Sequence, residues 1–253
     1  MRLEARSLSH TYNGKNSLEA LREVSVQIAD GQFTALIGPS GCGKSTFLRL
    51  AANLLRVQEG ALLLDGCPPQ QAVAQRRVAW MAQSPALLPW RTARANVALA
   101  GQILNHGSRP RLQADEALAR VGLSEMAACY PAALSGGMQQ RLALARTLTL
   151  PASLWLMDEP FAALDELTRE RLAGELFRLW QPIGATVLWV THNIHEAVRL
   201  SDRVLVFSPR PGTIAADIPI GLPHPRRESD PQYQRAVADI RSALGSTQAE
   251  DAA

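Results

Sequence analysis

The chain reads as an α/β domain interrupted by a helical insert, and three observations predict it. Apolar-rich runs recur over 24–28, 33–37, 61–64, 78–81, 153–157, 186–190 and 204–207, and the last four are short, continuous and apolar. Runs of this kind are what strands buried on both faces require. Longer helical patterns lie between them, at 44–54 and at 166–180, where Leu172, Leu176 and Leu179 share a face. From 93 to 150 the strand pattern stops: this stretch is rich in Ala, Leu and Arg and reads as several helices, broken near Gly101, at 105–110, at Gly122 and at Tyr130-Pro131. The expected organisation is a single domain with α/β halves at 1–92 and 151–210, a helical subdomain at 93–150 and a C-terminal extension at 211–253. Near the C-terminus, 209–227 reads as Pro-rich and irregular, 230–244 as a last helix and 245–253 as frayed.

Composition narrows the class. The 253 residues are 47% hydrophobic and 19% charged, which supports a sizeable core and excludes global disorder. No apolar run approaches the ~18 residues a membrane span needs. The first residues carry Arg2, Glu4 and Arg6 without an apolar stretch, so no secretory signal is expected. The net charge of +3 is small and spread along the chain, so no nucleic-acid partner is expected. Cys42, Cys67 and Cys129 are odd in number and lack C-x-x-C spacing. Neither a disulfide framework nor a zinc site is expected, which fits a reducing cytoplasm.

The strand at 33–37 leads into Gly38-Pro39-Ser40-Gly41-Cys42-Gly43-Lys44-Ser45, and the helix continues with Thr46. This fits G-x-x-x-x-G-K-S/T in its proper strand–helix setting. Glycines let the backbone wrap closely and aim N–H groups at phosphate oxygens, and the helix N-terminus adds its positive dipole end. Lys44 can reach the β- and γ-phosphates of a nucleotide, and the Ser45 hydroxyl can ligate Mg²⁺. Cys42 reads as a small loop residue.

Leu154-Trp155-Leu156-Met157 runs into Asp158-Glu159. A buried parallel strand delivers such carboxylates at its C-terminal end, where ligands bind in open α/β sheets. Asp158 is expected to hold Mg²⁺ through water and Glu159 to orient or polarise the attacking water.

Between these motifs stands Leu134-Ser135-Gly136-Gly137-Met138-Gln139-Gln140-Arg141. Ser135 can cap the following helix, and Gly136-Gly137 expose backbone N–H groups at its start, which makes a second anion site. This octapeptide resembles the signature motif of the ATP-binding-cassette (ABC) ATPases. The resemblance extends over most of the chain, from about residue 3 to residue 211. It implies a P-loop core with an inserted helical subdomain and an antiparallel β portion near the N-terminus. It implies ATP and Mg²⁺ as cofactors. It also implies a head-to-tail dimer, in which Ser135, Gly136 and Gly137 meet the γ-phosphate held by the loop of a second copy. Tyr12 resembles the aromatic that stacks on adenine. Gln83 resembles the glutamine that senses Mg²⁺ and γ-phosphate. Asp165, in Ala163-Leu164-Asp165, resembles a dimer contact, although Ala162 stands where Ser or Gly is frequent. His192 resembles the switch histidine that bonds the γ-phosphate. His195, with Glu196 and Arg199, reads as a solvated face.

The stretch Gln83-Ser84-Pro85-Ala86-Leu87-Leu88-Pro89-Trp90 and the run Thr191-His192-Asn193-Ile194-His195-Glu196-Ala197 look like bacterial importer subunits. Pro209-Arg210-Pro211-Gly212 is similar to the nitrate/sulfonate/taurine importer group, and importers of thiamine pyrimidine precursors share this appearance. The implied partners are transmembrane permease subunits and, indirectly, a substrate-binding protein. The implied location is peripheral, on the cytoplasmic face of the inner membrane. Trp90 has two readings, a patch that docks a membrane protein's helix or a buried anchor for the helical insert. Arg91 and Arg94 read as solvated. Two rival classes are a soluble cassette ATPase acting on nucleic acid and a P-loop small-molecule kinase. The first lacks a basic stripe to support it, and the second has no use for 134–141.

Overall fold

In a computed structural model, residues 1–14, 17–103 and 110–251 are described, with side chains of 248–251 left aside. Two sheets organise them. The larger has the strand order β5 (Val78–Met81), β6 (Leu154–Asp158), β7 (Thr186–Val190), β3 (Phe33–Ile37), β8 (Arg203–Phe207), β9 (Ile214–Pro219). Its first five strands are parallel, and β9 closes the edge antiparallel to β8. The smaller sheet is antiparallel, with β1 (Leu3–Tyr12) between β2 (Leu18–Ile28) and β4 (Glu59–Leu64). Strands β3, β6 and β7 are buried at every position, which is why they read as unbroken apolar runs.

The core has three parts, separated by the faces of the large sheet. Leu36, Leu156, Leu188 and Phe207 pack with α1 (Lys44–Ala51) and the antiparallel sheet. On the opposite face Phe33, Trp155, Met157 and Trp189 pack with residues of α3 (Ala93–Ile103), α4 (Ala114–Arg120), α5 (Gly136–Leu148) and α6 (Glu166–Trp180). Ala35, Ile37, Val204 and Val206 pack with α7 (Ile194–Leu200) and α8 (Pro231–Asp251). Phe161 and Phe33 both meet the Trp189 ring, at centroid distances of 4.8 and 5.9 Å. Such aromatic pairs tie the segment after β6 to the centre of the sheet.

Several expectations need correction. The helix expected over 44–54 ends at Ala51, because Asn53 takes a left-handed conformation with φ 54°. The strand expected at 24–28 is only the second half of β2. The break near Gly101 is absent, since α3 runs on to Ile103; the break at 105–110 falls on residues outside those described, apart from Pro110. Gly122, at φ +68°, does end α4 as a left-handed residue after the helix. The irregular stretch 209–227 contains β9, whose Pro219 is tolerated because it lies on an edge strand. The described part of 245–253 is helical as far as Asp251 rather than frayed from Gly245. A short helix, α2 (Pro69–Ala74), had no counterpart in the apolar pattern.

Candidate functional site

The strand order brings distant stretches of sequence together. Because β5, β6, β7 and β3 are neighbours and parallel, the segments leaving their C-terminal ends stand in a row. These segments carry Gln83, then Asp158 and Glu159, then His192, then the 38–45 loop. A cavity of about 280 Å³ opens there, lined by Ser40, Gly41, Cys42, Gly43, Lys44, Ser45, Thr46, Gln83 and Glu159.

The loop is held by close approach. Gly43, at φ +100°, caps α1 without a side chain, and a Cβ there would lie 2.5 Å from the Ala20 carbonyl oxygen. Only glycine fits both constraints. Gly38 leaves β3 against Phe207, where a Cβ would lie 2.8 Å from the carbonyl oxygen. Pro39, Ser40 and Gly41 form the turn between them, and the buried Cys42 fills space beneath it. The Lys44 ammonium donates to the Gly38 and Pro39 carbonyls, both at 2.8 Å, and lies 3.4 Å from Cys42 Sγ. The cation is therefore held over the loop. No capping side chain competes with a ligand for the first N–H groups of α1.

The acids come next. Ser45 Oγ donates to Asp158 Oδ1 at 3.0 Å. Burial pushes the Asp158 carboxyl above the usual carboxylate range, with the Ser45 hydrogen bond working against that shift. Glu159 has φ 48°, an unusual backbone for a non-glycine residue, and its N–H donates to the Val190 carbonyl at 3.0 Å. Glu159 Oε2 lies 3.4 Å from Gln83 Nε2 and 3.5 Å from His192 Nδ1. So the chain brings together one carboxylate, one amide and one imidazole at the cavity mouth.

Tyr12, at the end of β1, meets Thr46 Oγ1 through its hydroxyl at 3.1 Å and packs edge-on against His10. Ser135, Gly136 and Gly137 are not among the residues lining the cavity. They begin α5, where Ser135 Oγ accepts the Met138 N–H at 3.3 Å and both Ser135 and Gly136 are exposed. Asp165 is also exposed and caps α6, accepting the Thr168 N–H at 2.9 Å; that bond holds its carboxyl below the usual range.

Two sequence readings are settled or corrected here. Trp90 is 71% exposed, so it does not anchor the helical segment from within. Glu196 is not on a solvated face: it is buried, and it accepts the Thr191 hydroxyl at 2.7 Å. His195 stacks on Tyr233, whose hydroxyl donates to the His195 carbonyl at 3.1 Å. Arg94 pairs with Asp115 through one guanidinium edge, Nε and Nη2, at the surface.

Three supporting residues, one of them inside the 134–141 octapeptide, show their partners only in the fold. Asn96, fully buried, accepts the Leu88 N–H at 2.8 Å and donates to the carbonyls of Leu88, Arg91 and Thr92. Arg146 donates to the Pro85 and Ala86 carbonyls at 2.9 Å, and burial lowers its pKa. Together they fix the segment that follows Gln83. Gln140 Nε2 donates to the Glu159 carbonyl at 3.3 Å and so ties α5 to the catalytic-candidate acid. An Asn or Arg in a helix reveals its partner only in three dimensions, although Asn96 inside an apolar face was a faint clue.

Known proteins resemble this chain over nearly its whole length. Residues 21–162 match the ABC transporter family. An ABC transporter ATP-binding protein of Methanocaldococcus jannaschii, itself uncharacterized, is 41% identical, covering 90% of this chain and 86% of the relative. The aliphatic sulfonates import ATP-binding protein SsuB 1 of Xanthomonas axonopodis is 42% identical, covering 90% and 91%. Among solved structures, a dimeric ATP-binding cassette in a post-hydrolysis state, bound to ADP and Pi, superposes with a TM-score of 0.78 at 29% identity, covering 86% of this chain and 98% of that one. A phosphate-binding loop beside a strand-end carboxylate, in a chain that matches these proteins over most of its length, leaves one conclusion: the chain belongs to the ABC transporter family and is one of its ATP-binding, ATP-hydrolysing cassettes.

Proposed function

We propose that the chain energises a bacterial importer for aliphatic sulfonates or a closely related small solute. The observation that carries the ATPase part is the meeting of Glu159, Gln83 and His192 at the mouth of the loop cavity. The solute class rests on relatives named as aliphatic sulfonate import proteins, such as one that is 44% identical over 88% of this chain. Taurine, itself an aliphatic sulfonate, falls within this class; nitrate and thiamine pyrimidine precursors are the competing solutes.

In this reading the N–H groups of 38–46 cradle the phosphates, Lys44 turns from the loop carbonyls to the β- and γ-phosphates, and Tyr12 stacks on the adenine. The donor set fits Mg²⁺: Ser45 Oγ and Asp158 Oδ1 lie 3.0 Å apart, Gln83 offers an amide oxygen, and these are hard oxygen ligands. The ion would neutralise charge on the phosphates, and it would offset the cost of burying an ionised Asp158. Glu159 accepts the proton of the attacking water, while Gln83 and His192 orient its carboxylate and bond the terminal phosphate. Ser135, Gly136, Gly137 and Asp165 meet the nucleotide of a second, head-to-tail copy, which accounts for the exposure of Ser135, Gly136 and Asp165.

Helices α3, α4 and α5 form the helical arm that meets permease subunits, with Trp90 and the segment after Gln83 at the contact. Among the described residues no helix is long and apolar enough to cross a membrane, so attachment comes from those partners. The chain then sits on the cytoplasmic face, and a substrate-binding protein acts on the far side. The residues 211–253 are the extension beyond the cassette.

The test is transport in proteoliposomes holding the whole complex. ATP turnover should rise with a binding protein loaded with an alkanesulfonate. Stimulation by nitrate or a pyrimidine, but by no aliphatic sulfonate, overturns the solute assignment. ATP turnover with no stimulation by any loaded binding protein overturns import.

A further inference from the structure

Helices α6 and α7 are joined by a largely buried ion pair, close in charge but not aligned as a hydrogen bond, and by a more exposed one between Arg199 and Glu170 at 3.1 Å. Arg169 Nε on α6 lies 3.2 Å from Glu196 Oε1 on α7, with the side chains 19% and 9% exposed. The other Glu196 oxygen accepts the Thr191 hydroxyl at 2.7 Å. Thr191 Oγ1 in turn accepts the Asn193 N–H at 3.0 Å, so this carboxylate grips the backbone on both sides of His192. The other end of Arg169 faces the opposite way. Its Nη2 donates to the Leu164 carbonyl at 2.9 Å, one residue before Asp165, and its Nη1 pairs with Glu166 at 2.6 Å. The loop at 162–165 also touches the start of α5: a Cβ on Gly137 would lie 2.9 Å from the Ala163 carbonyl oxygen.

A continuous chain of contacts therefore runs from the exposed loop around Asp165, through Arg169 and Glu196, to Thr191 and His192, and on to Glu159. Burial pushes the Glu196 carboxyl up, and the Thr191 hydroxyl and the Arg169 charge oppose that shift. A buried ion pair is often no more stable than an apolar replacement, so stability alone is a weak reason for placing one here.

We propose that Arg169 and Glu196 are positioning residues that tie the Asp165 loop to His192, so that docking of a second copy against that loop is felt at Glu159. This rests on the dimeric ATPase reading above. The pair touches no residue lining the loop cavity except through His192, so its loss should change turnover and leave ATP affinity alone.

The experiment measures ATP turnover against ATP concentration, and melting temperature, for the full chain with Arg169→Met, Glu196→Gln and both changes together. Each single change should lower kcat roughly tenfold with KM within about twofold. The double change should be no slower than the slower single one. Arg169→Met leaves Glu196 unpaired and should melt earlier; the double change should recover that loss while kcat stays low. Wild-type kcat in the single variants, or a kcat that recovers together with the melting temperature, overturns the proposal. Glu159→Gln, assayed in parallel, separates the two readings. If it turns over like the wild type, the site reading falls and this coupling with it. If it is inactive while the Arg169 and Glu196 variants are normal, only the coupling falls.

Discussion

Two helices of this chain start on glycine-rich segments, and their settings are opposite. At α1 the glycines are walled in: Gly43 has no room for a Cβ, Lys44 is 7% exposed, and the cavity in front is lined from one chain. At α5 the serine cap and the first glycine face outward, and none of 135–137 lines that cavity. Both are anion-binding designs by the same physics of unpaired N–H groups. The first has its site around it, and the second presents half a site to a neighbour. On the proposed head-to-tail reading, one copy would bind a nucleotide while hydrolysis would need two.

The sharpest way to break that comparison is to remove the chemistry and keep both halves. Glu159→Gln preserves shape and removes the carboxylate, so turnover should fall by ~10²–10⁴ while ATP binding persists. A sizing column run with ATP should show this variant accumulating as a dimer. Wild-type turnover would remove Glu159 from its assigned role.

The two helix starts are then separated by one variant each. Lys44→Ala should weaken ATP binding by roughly a hundredfold, since a phosphate charge in the cradle loses its partner. Ser135→Arg should leave the ATP affinity of the single chain within about twofold, and cut turnover roughly tenfold or more by blocking closure. Isothermal titration and turnover measured on both decide it; equal loss of affinity in both variants would sink the two-half-site picture.

A stability contrast sharpens the boundary between scaffold and docking surface. Asn96→Ala leaves the Leu88 N–H and three carbonyls without their side-chain partner, and should cost about 1–3 kcal/mol in denaturant unfolding. Trp90→Ala, at a 71% exposed position, should stay within about 0.5 kcal/mol and yet uncouple turnover from transport. A large loss of stability at Trp90 would return it to a structural role.

The smallest effect concerns pH. Burial raises the Asp158 carboxyl above the ordinary carboxylate value of about 3.9. An acid raised in this way contributes stability below that value and loses it as pH climbs through the raised one. At neutral pH the ionised group is therefore a net cost to the nucleotide-free chain. Asp158→Asn should melt slightly higher than wild type at neutral pH, and this gain should vanish on acidification. A lower melting temperature for Asp158→Asn at neutral pH would contradict it.

Much of this architecture was legible before any coordinates. The 38–45 loop, the Asp158-Glu159 pair and the Ser135 cap are short covalent runs, and local backbone geometry decides what they can do. The parallel strands were legible because burial on both faces leaves a continuous apolar run, as in 186–190. Strand β9 was not, because an edge strand in a Pro-rich stretch alternates between half-buried and exposed positions and carries no such run. Glu196 and Arg199 looked like an ordinary polar helix face, since the sequence does not say what packs over a helix.

What the sequence determined by itself is the chemistry that neighbouring residues can perform together: a glycine loop that bends, a lysine that follows it, two acids at a strand end. What only the tertiary structure decided is which surfaces meet. The order β5-β6-β7-β3 brought Gln83, Glu159 and His192 into one contact group, packing of α6 and α7 buried Glu196 on Arg169, and the exposed setting left Trp90 outside the core. The physical reason is range. Dihedral preferences and capping act within a few residues, whereas burial and ion pairing depend on elements far apart in the chain that are neighbours only after folding.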